Sequence, residues 1–112
     1  MRIPAPNFWP AARTGQRFLL QARRREIMVD GHKMVFLERG SPGVGRPTIV
    51  LIHGFAAMKE NWGLWLQRLP RRWHLLAPDL PGFGESDYRP EACYRYETQA
   101  RRLAQWLAGV NT

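Results

Sequence analysis

Short apolar runs alternate along the chain with stretches broken by glycine and proline, and the spacing inside each run limits what it can form. Residues 26–29 and 33–37 predict two strands joined at Asp30-Gly31, a dipeptide suited to the positive φ of a tight turn. Gly40-Ser41-Pro42-Gly43 opens a loop that runs to Pro47. Residues 48–53 form an unbroken β-branched and apolar run, the pattern of a strand covered on both faces, as in a parallel sheet. Trp62, Trp65, Leu66 and Leu69 fall at i, i+3, i+4 and i+7, predicting a helix over residues 60–69 that Pro70 ends. Residues 73–78 read as the next buried strand, closing on Asp79, and residues 80–89 as a Gly- and Pro-rich loop. A last helix is predicted over residues 96–108, with Ala100, Leu103, Ala104 and Leu107 as its apolar stripe and Gly109 placed to stop it. Strand, helix, strand, helix is the order of an α/β doubly wound sheet, with a right-handed crossover expected.

Composition agrees with a packed domain. The 112 residues leave room for one, and 45% hydrophobic against 23% charged residues is a globular balance. The longest aliphatic run, Ile49-Val50-Leu51-Ile52, is far short of the roughly 20 residues of a membrane span. The start carries a positive charge with no apolar stretch behind it, so no secretory signal is expected and a cytoplasmic location is. The single cysteine, Cys93, has no internal disulfide partner and fits a reducing compartment.

Charge changes the picture at one end. The net +8 is concentrated in residues 1–25, which hold six arginines and no acid; the remainder carries 11 basic and 9 acidic residues. Residues 1–23 read as a basic arm or short helix, extended where Pro4, Pro6 and Pro10 fall, and residues 24–112 as the α/β domain. The excess suits a solvated arm or a weak contact with an anionic surface; with no nucleic-acid fold signature beside it, no nucleic-acid partner is expected.

Two segments carry the chemistry: Ile52-His53-Gly54-Phe55 and Asp79-Leu80-Pro81-Gly82-Phe83-Gly84-Glu85-Ser86. Each lies where a strand gives way to a loop, the edge at which open α/β sheets bind ligands. A strand ending in His-Gly, a helix, a strand ending in Asp and then Gly-x-Gly-x-Ser resembles the α/β-hydrolase superfamily, in its esterase, lipase and C–C-bond hydrolase branches. The resemblance covers residues 26–110 and implies the N-terminal half of that fold: a β-hairpin, then β-α-β-α, with the sheet incomplete. It also implies a backbone N–H in the loop after the first motif as one donor of an oxyanion hole, either Phe55 or Ala56. Gly54, lacking a Cβ, would let the chain turn sharply beneath a substrate. The family's catalytic histidine follows its nucleophile, so the resemblance casts His53 as a loop anchor and not as the base.

The second motif reads as architecture. Asp79 can accept from loop amides, Gly82 and Gly84 permit tight turns, and Ser86 can cap a turn or pair with Asp79. No Lys follows the glycines as a phosphate loop requires. His32 and His74 lack a Cys, Asp or Glu at ligand spacing, so neither a metal nor a cofactor is expected.

The family's nucleophile sits in Gly-x-Ser-x-Gly, and the two serines here, Ser41 and Ser86, lack that frame. The resemblance therefore implies that nucleophile, acid and base lie beyond these 112 residues, which alone are expected to be inactive, unstable and prone to self-association. In the complete enzyme the substrate would be a small ester. Epoxide hydrolases and haloalkane dehalogenases of the superfamily usually carry His-Gly-x-Pro; Ala56 in place of that Pro leans towards esterases, with C–C-bond hydrolases left open. The competing reading is a non-catalytic α/β module that binds a partner through its basic segment.

Overall fold

The computed structural model describes residues 22–54 and 57–110. The predicted arm therefore lies almost wholly outside the described residues. Four strands form one sheet in the order β1-β2-β4-β3: β1 (Arg23–Val29), β2 (His32–Arg39), β3 (Thr48–Val50) and β4 (His74–Pro78). The β1/β2 and β2/β4 pairs are antiparallel, and β3/β4 is parallel. A 3₁₀ turn, Lys59–Trp62, leads into helix α1 (Gly63–Arg68), and helix α2 (Tyr96–Val110) closes the described chain. This is the incomplete α/β sheet that the family resemblance implied.

The hairpin turns where Asp-Gly predicts, with φ of +51° at Asp30 and +74° at Gly31. Side chains alternate across the sheet and sort into two cores. Leu37, Leu75 and Ala77 face α1 through Leu66, joined by Ile49, Leu51, Trp62 and Leu69. Met34, Phe36 and Leu76 face α2 through Trp106, joined by Val50, Leu103 and Leu107. Phe36 and Trp106 meet edge-on, their ring centroids 5.3 Å apart.

Several expectations are corrected. The third strand pairs only over Thr48–Val50, extended by one bond from Leu51 N–H to the Leu76 carbonyl. Its residues are half-buried or exposed, because among the described residues it has a neighbour on one side only. The strand buried throughout is β4, which lies between two others. On α2, Ala100 and Ala104 face solvent, and the seated face runs through Gln99, Arg102 and Trp106. Arg102 and Gln99 can be buried because they bond to Asp30, the Cys93 carbonyl and the Pro81 carbonyl. Gly109 does not stop the helix, which runs to Val110; a Cβ there would stand 3.0 Å from Ile27 Cδ1, so glycine permits close approach to β1. On α1, Leu66 is buried but Trp65 is 54% exposed.

Two buried charges brace the frame. Arg39 donates to the carbonyls of Leu66 and Leu69 at 2.6 and 2.9 Å and also to that of Pro70, stitching β2 to the C-terminal end of α1, where a cation suits the helix dipole. On the other face, Glu38 accepts from Arg25 at 2.8 Å, Arg23 at 2.9 Å and His74 Nε2 at 2.6 Å. An ionised carboxylate only accepts, so His74 donates from Nε2, and its Nδ1 lies 2.9 Å from the Thr48 hydroxyl. Burial works to raise the Glu38 pKa, but hydrogen bonds from His74 and Arg25 and the charges of Arg25 and Arg23 overcome it and hold the carboxyl below its ordinary range.

A depressed carboxylate contributes stability that is present above its unfolded pKa of about 4.3 and is lost as pH falls through the lower folded value. Thermal melts of the protein carrying this chain should therefore fall more steeply with acidification in wild type than in Glu38→Gln, which should be the less stable at neutral pH. Trp106→Ala should cost about 3–5 kcal/mol in urea unfolding, against about 0.5 kcal/mol or less for Ala104→Gln on the exposed side of the same helix.

Candidate active site

Parallel pairing points the ends of β3 and β4 to one rim of the sheet, so the two motif loops emerge side by side. Contacts then lock them together. His53 is buried; its Nε2 accepts from the Leu80 N–H at 3.0 Å, so Nδ1 carries the proton and donates to the Gly54 carbonyl at 2.7 Å. The His53 ring also meets Phe83 of the second loop, centroids 5.4 Å apart. One imidazole thus spans both motifs.

The Gly54 carbonyl takes a second bond from the Ala57 N–H at 3.2 Å, closing a turn. Phe55 and Ala56 lie outside the described residues. Gly54 has no left-handed φ, and among the described residues a Cβ on it would meet nothing within 4 Å. The sharp turn expected of this glycine is therefore not a demand of its own backbone.

Asp79 is fully buried, and its carboxylate collects three donors: the Lys59 N–H at 2.8 Å, the Lys59 ammonium at 2.6 Å and the Glu85 N–H at 2.9 Å. Gly84 wraps around it at φ +53°, where a Cβ would fall 2.3–2.5 Å from the carboxylate atoms. Gly82, at φ +92°, leaves no more than 3.2 Å between a Cβ and the Tyr94 ring. Ser86, offered two roles by the sequence, donates its hydroxyl to the Asp79 carbonyl at 2.7 Å and accepts from the Val35 N–H at 2.9 Å. The second loop is thereby tied to the central strand β2.

Sequence reasoning missed Lys59. Its side chain is wholly buried, with Asp79 at 2.6 Å, Glu85 at 2.7 Å and Glu60 at 3.1 Å. Glu85 also reaches Arg24 on β1 at 3.3 Å. In Met58-Lys59-Glu60-Asn61 a lysine beside an acid reads as a solvated helix start, and no local period announces a partner 20 residues away. Among the described residues, no group of three or more His, Cys, Asp or Glu lies close enough to hold a metal ion, and no helix is long and apolar enough to cross a membrane.

A sequence model of the α/β hydrolase fold matches residues 47–111, which span both loops. The chain belongs to the α/β-hydrolase family. It is 41% identical over 110 residues to Lipase 3 of Moraxella sp. (strain TA144), and 37% identical over 110 residues to Lipase 1 of Psychrobacter immobilis. Each alignment covers 92% of this chain, and 34% and 33% of the two lipases respectively. Among solved structures, a membrane phospholipase A, described as a bacterial virulence factor, superposes with a TM-score of 0.82 at 39% identity, covering 93% of this chain and 34% of its own. The chain thus spans about a third of the length of the curated relatives it matches.

The two glycines tested by the rim should behave differently. Gly84→Ala should cost at least about 1–3 kcal/mol from the left-handed backbone alone, before the clash with Asp79. Gly54→Ala should stay within about 0.5 kcal/mol. Paired urea titrations would separate them.

Proposed function

We propose that this chain supplies the oxyanion-hole loop of a serine hydrolase that acts on small carboxylic esters, as lipases and esterases do. The observation that carries the reading is His53 bonded at once to Gly54 and Leu80, which fixes the loop after β3 against the loop after β4 at the ligand-binding rim. The match to lipases over 92% of the chain supports the same substrate class.

Ester hydrolysis passes through a tetrahedral intermediate whose carbonyl oxygen becomes an anion, and fixed N–H donors lower the barrier to it. The Ala57 N–H is engaged in closing the loop, so the reading assigns the donor to Phe55 or Ala56. His53 has both ring nitrogens committed to backbone groups, which suits an anchor and not a base. The 112 residues hold no Gly-x-Ser-x-Gly, so the reading places nucleophile, acid and base in further sequence. Without the rest of the domain, β3, which has a neighbour on one side only among the described residues, would be open to self-pairing.

A protein joining this chain to the rest of a hydrolase domain should hydrolyse p-nitrophenyl butyrate and be labelled by a fluorophosphonate. The 112-residue polypeptide should do neither and should elute as aggregates. In the active protein, proline at whichever of Phe55 or Ala56 donates removes the N–H and should lower kcat about 10²–10³-fold. Turnover of epoxides or haloalkanes in place of esters would move the reading to another branch of the family.

A further inference from the structure

We infer that Lys59 is a positioning residue for the ester chemistry, fixing the chain just after the first motif to Asp79 and Glu85 of the second loop; this rests on the function proposed above. Taking an ammonium out of water costs several kcal/mol unless close partners compensate, and apolar side chains of equal volume often stabilise a core as well or better. Stability alone is therefore a weak reason for a fully buried lysine here. What an apolar residue lacks is direction. Lys59 grips Asp79 through both its backbone N–H and its ammonium, at 2.8 and 2.6 Å. Asp79 cannot yield, because Gly84 and the Glu85 N–H enclose it and its own N–H donates to the Val35 carbonyl at 2.9 Å. The ammonium also reaches Glu85 at 2.7 Å, taking in the far side of the second loop.

Lys59 stands three residues after Ala56, so described residues on both sides of Phe55 and Ala56 are tied to the second loop: His53 to Leu80, and Lys59 to Asp79. A donor amide displaced by about 1 Å costs on the order of 10²-fold in rate. A pinned end is thus a catalytic requirement felt in the transition state more than in substrate binding.

The test uses the ester-hydrolysing protein that carries this chain, with Lys59→Met, which keeps length and volume but removes the charge. Its kcat should fall about 10–100-fold with KM within about 3-fold, and a trifluoromethyl ketone, which mimics the oxyanion, should bind more weakly by the same factor as kcat/KM falls. A merely structural role would lower the melting temperature and leave that matched loss absent. Should Lys59→Met fail to fold, Glu85→Gln at the partly exposed end of the cluster decides, with an expected 3–10-fold loss of kcat and the same weakening of the ketone. A folded Lys59→Met with kcat within about 3-fold of wild type overturns the inference, as does wild-type kcat in Glu85→Gln where it decides, or unchanged ketone affinity in either variant. A wild-type protein inert to both ester and fluorophosphonate instead overturns the proposed function, and this inference with it.

Discussion

A carboxylate buried without hydrogen-bond donors destabilises its surroundings, and Asp79 is met by three donors from two separate loops. That convergence organises the rim of the sheet. It fixes Lys59 in the interior, requires Gly84 to pass without a Cβ, and leaves Ser86 positioned to bridge Asp79 and Val35. Removal of the carboxylate would take from the buried Lys59 the acceptor shared by its backbone N–H and its ammonium, leaving the ammonium to Glu85 and Glu60, a loss felt more strongly in the interior than that of a surface ion pair.

The frame around this rim has its own division of labour. Strand β4 is buried along its whole length because β2 and β3 flank it and a helix covers each face. Arg39 and Glu38, neighbours in sequence on β2, point to opposite faces of the sheet. One satisfies carbonyls at the end of α1; the other gathers His74 and two arginines of β1. Neither is a surface charge, although both look like one in sequence. Family membership fits this frame, which spans about a third of the length of the lipases it matches.

The site was legible in part. His-Gly after one strand and Asp with Gly-x-Gly-x-Ser after another could be placed at a common rim, because parallel strands deliver their ends to the same edge. Asp79, Gly82, Gly84 and Ser86 could be read as architecture from residue type alone. Lys59 could not, since its partners are set by how two loops meet. The α2 stripe was misread for a related reason: Ala100 and Ala104 follow the apolar period, yet Trp106 is bulkier and Arg102 has partners waiting on the hairpin and before the helix. Arg23 and Arg25 likewise carry no strand signal until Glu38, paired with Arg23 across the hairpin, accepts from both.

What the chain determines by itself is local. Asp30-Gly31 sets the hairpin turn, the apolar runs set the strands, and the 3.6-residue period sets the helices, because each depends on neighbours within a turn or two of backbone. The tertiary structure alone decides that β3 is an edge among the described residues, that Trp65 faces water while Trp106 does not, and that a lysine is an interior residue. Those outcomes turn on pairings between segments 20 to 70 residues apart, where burial and charge compensation are settled by contact and leave no periodic trace in the sequence.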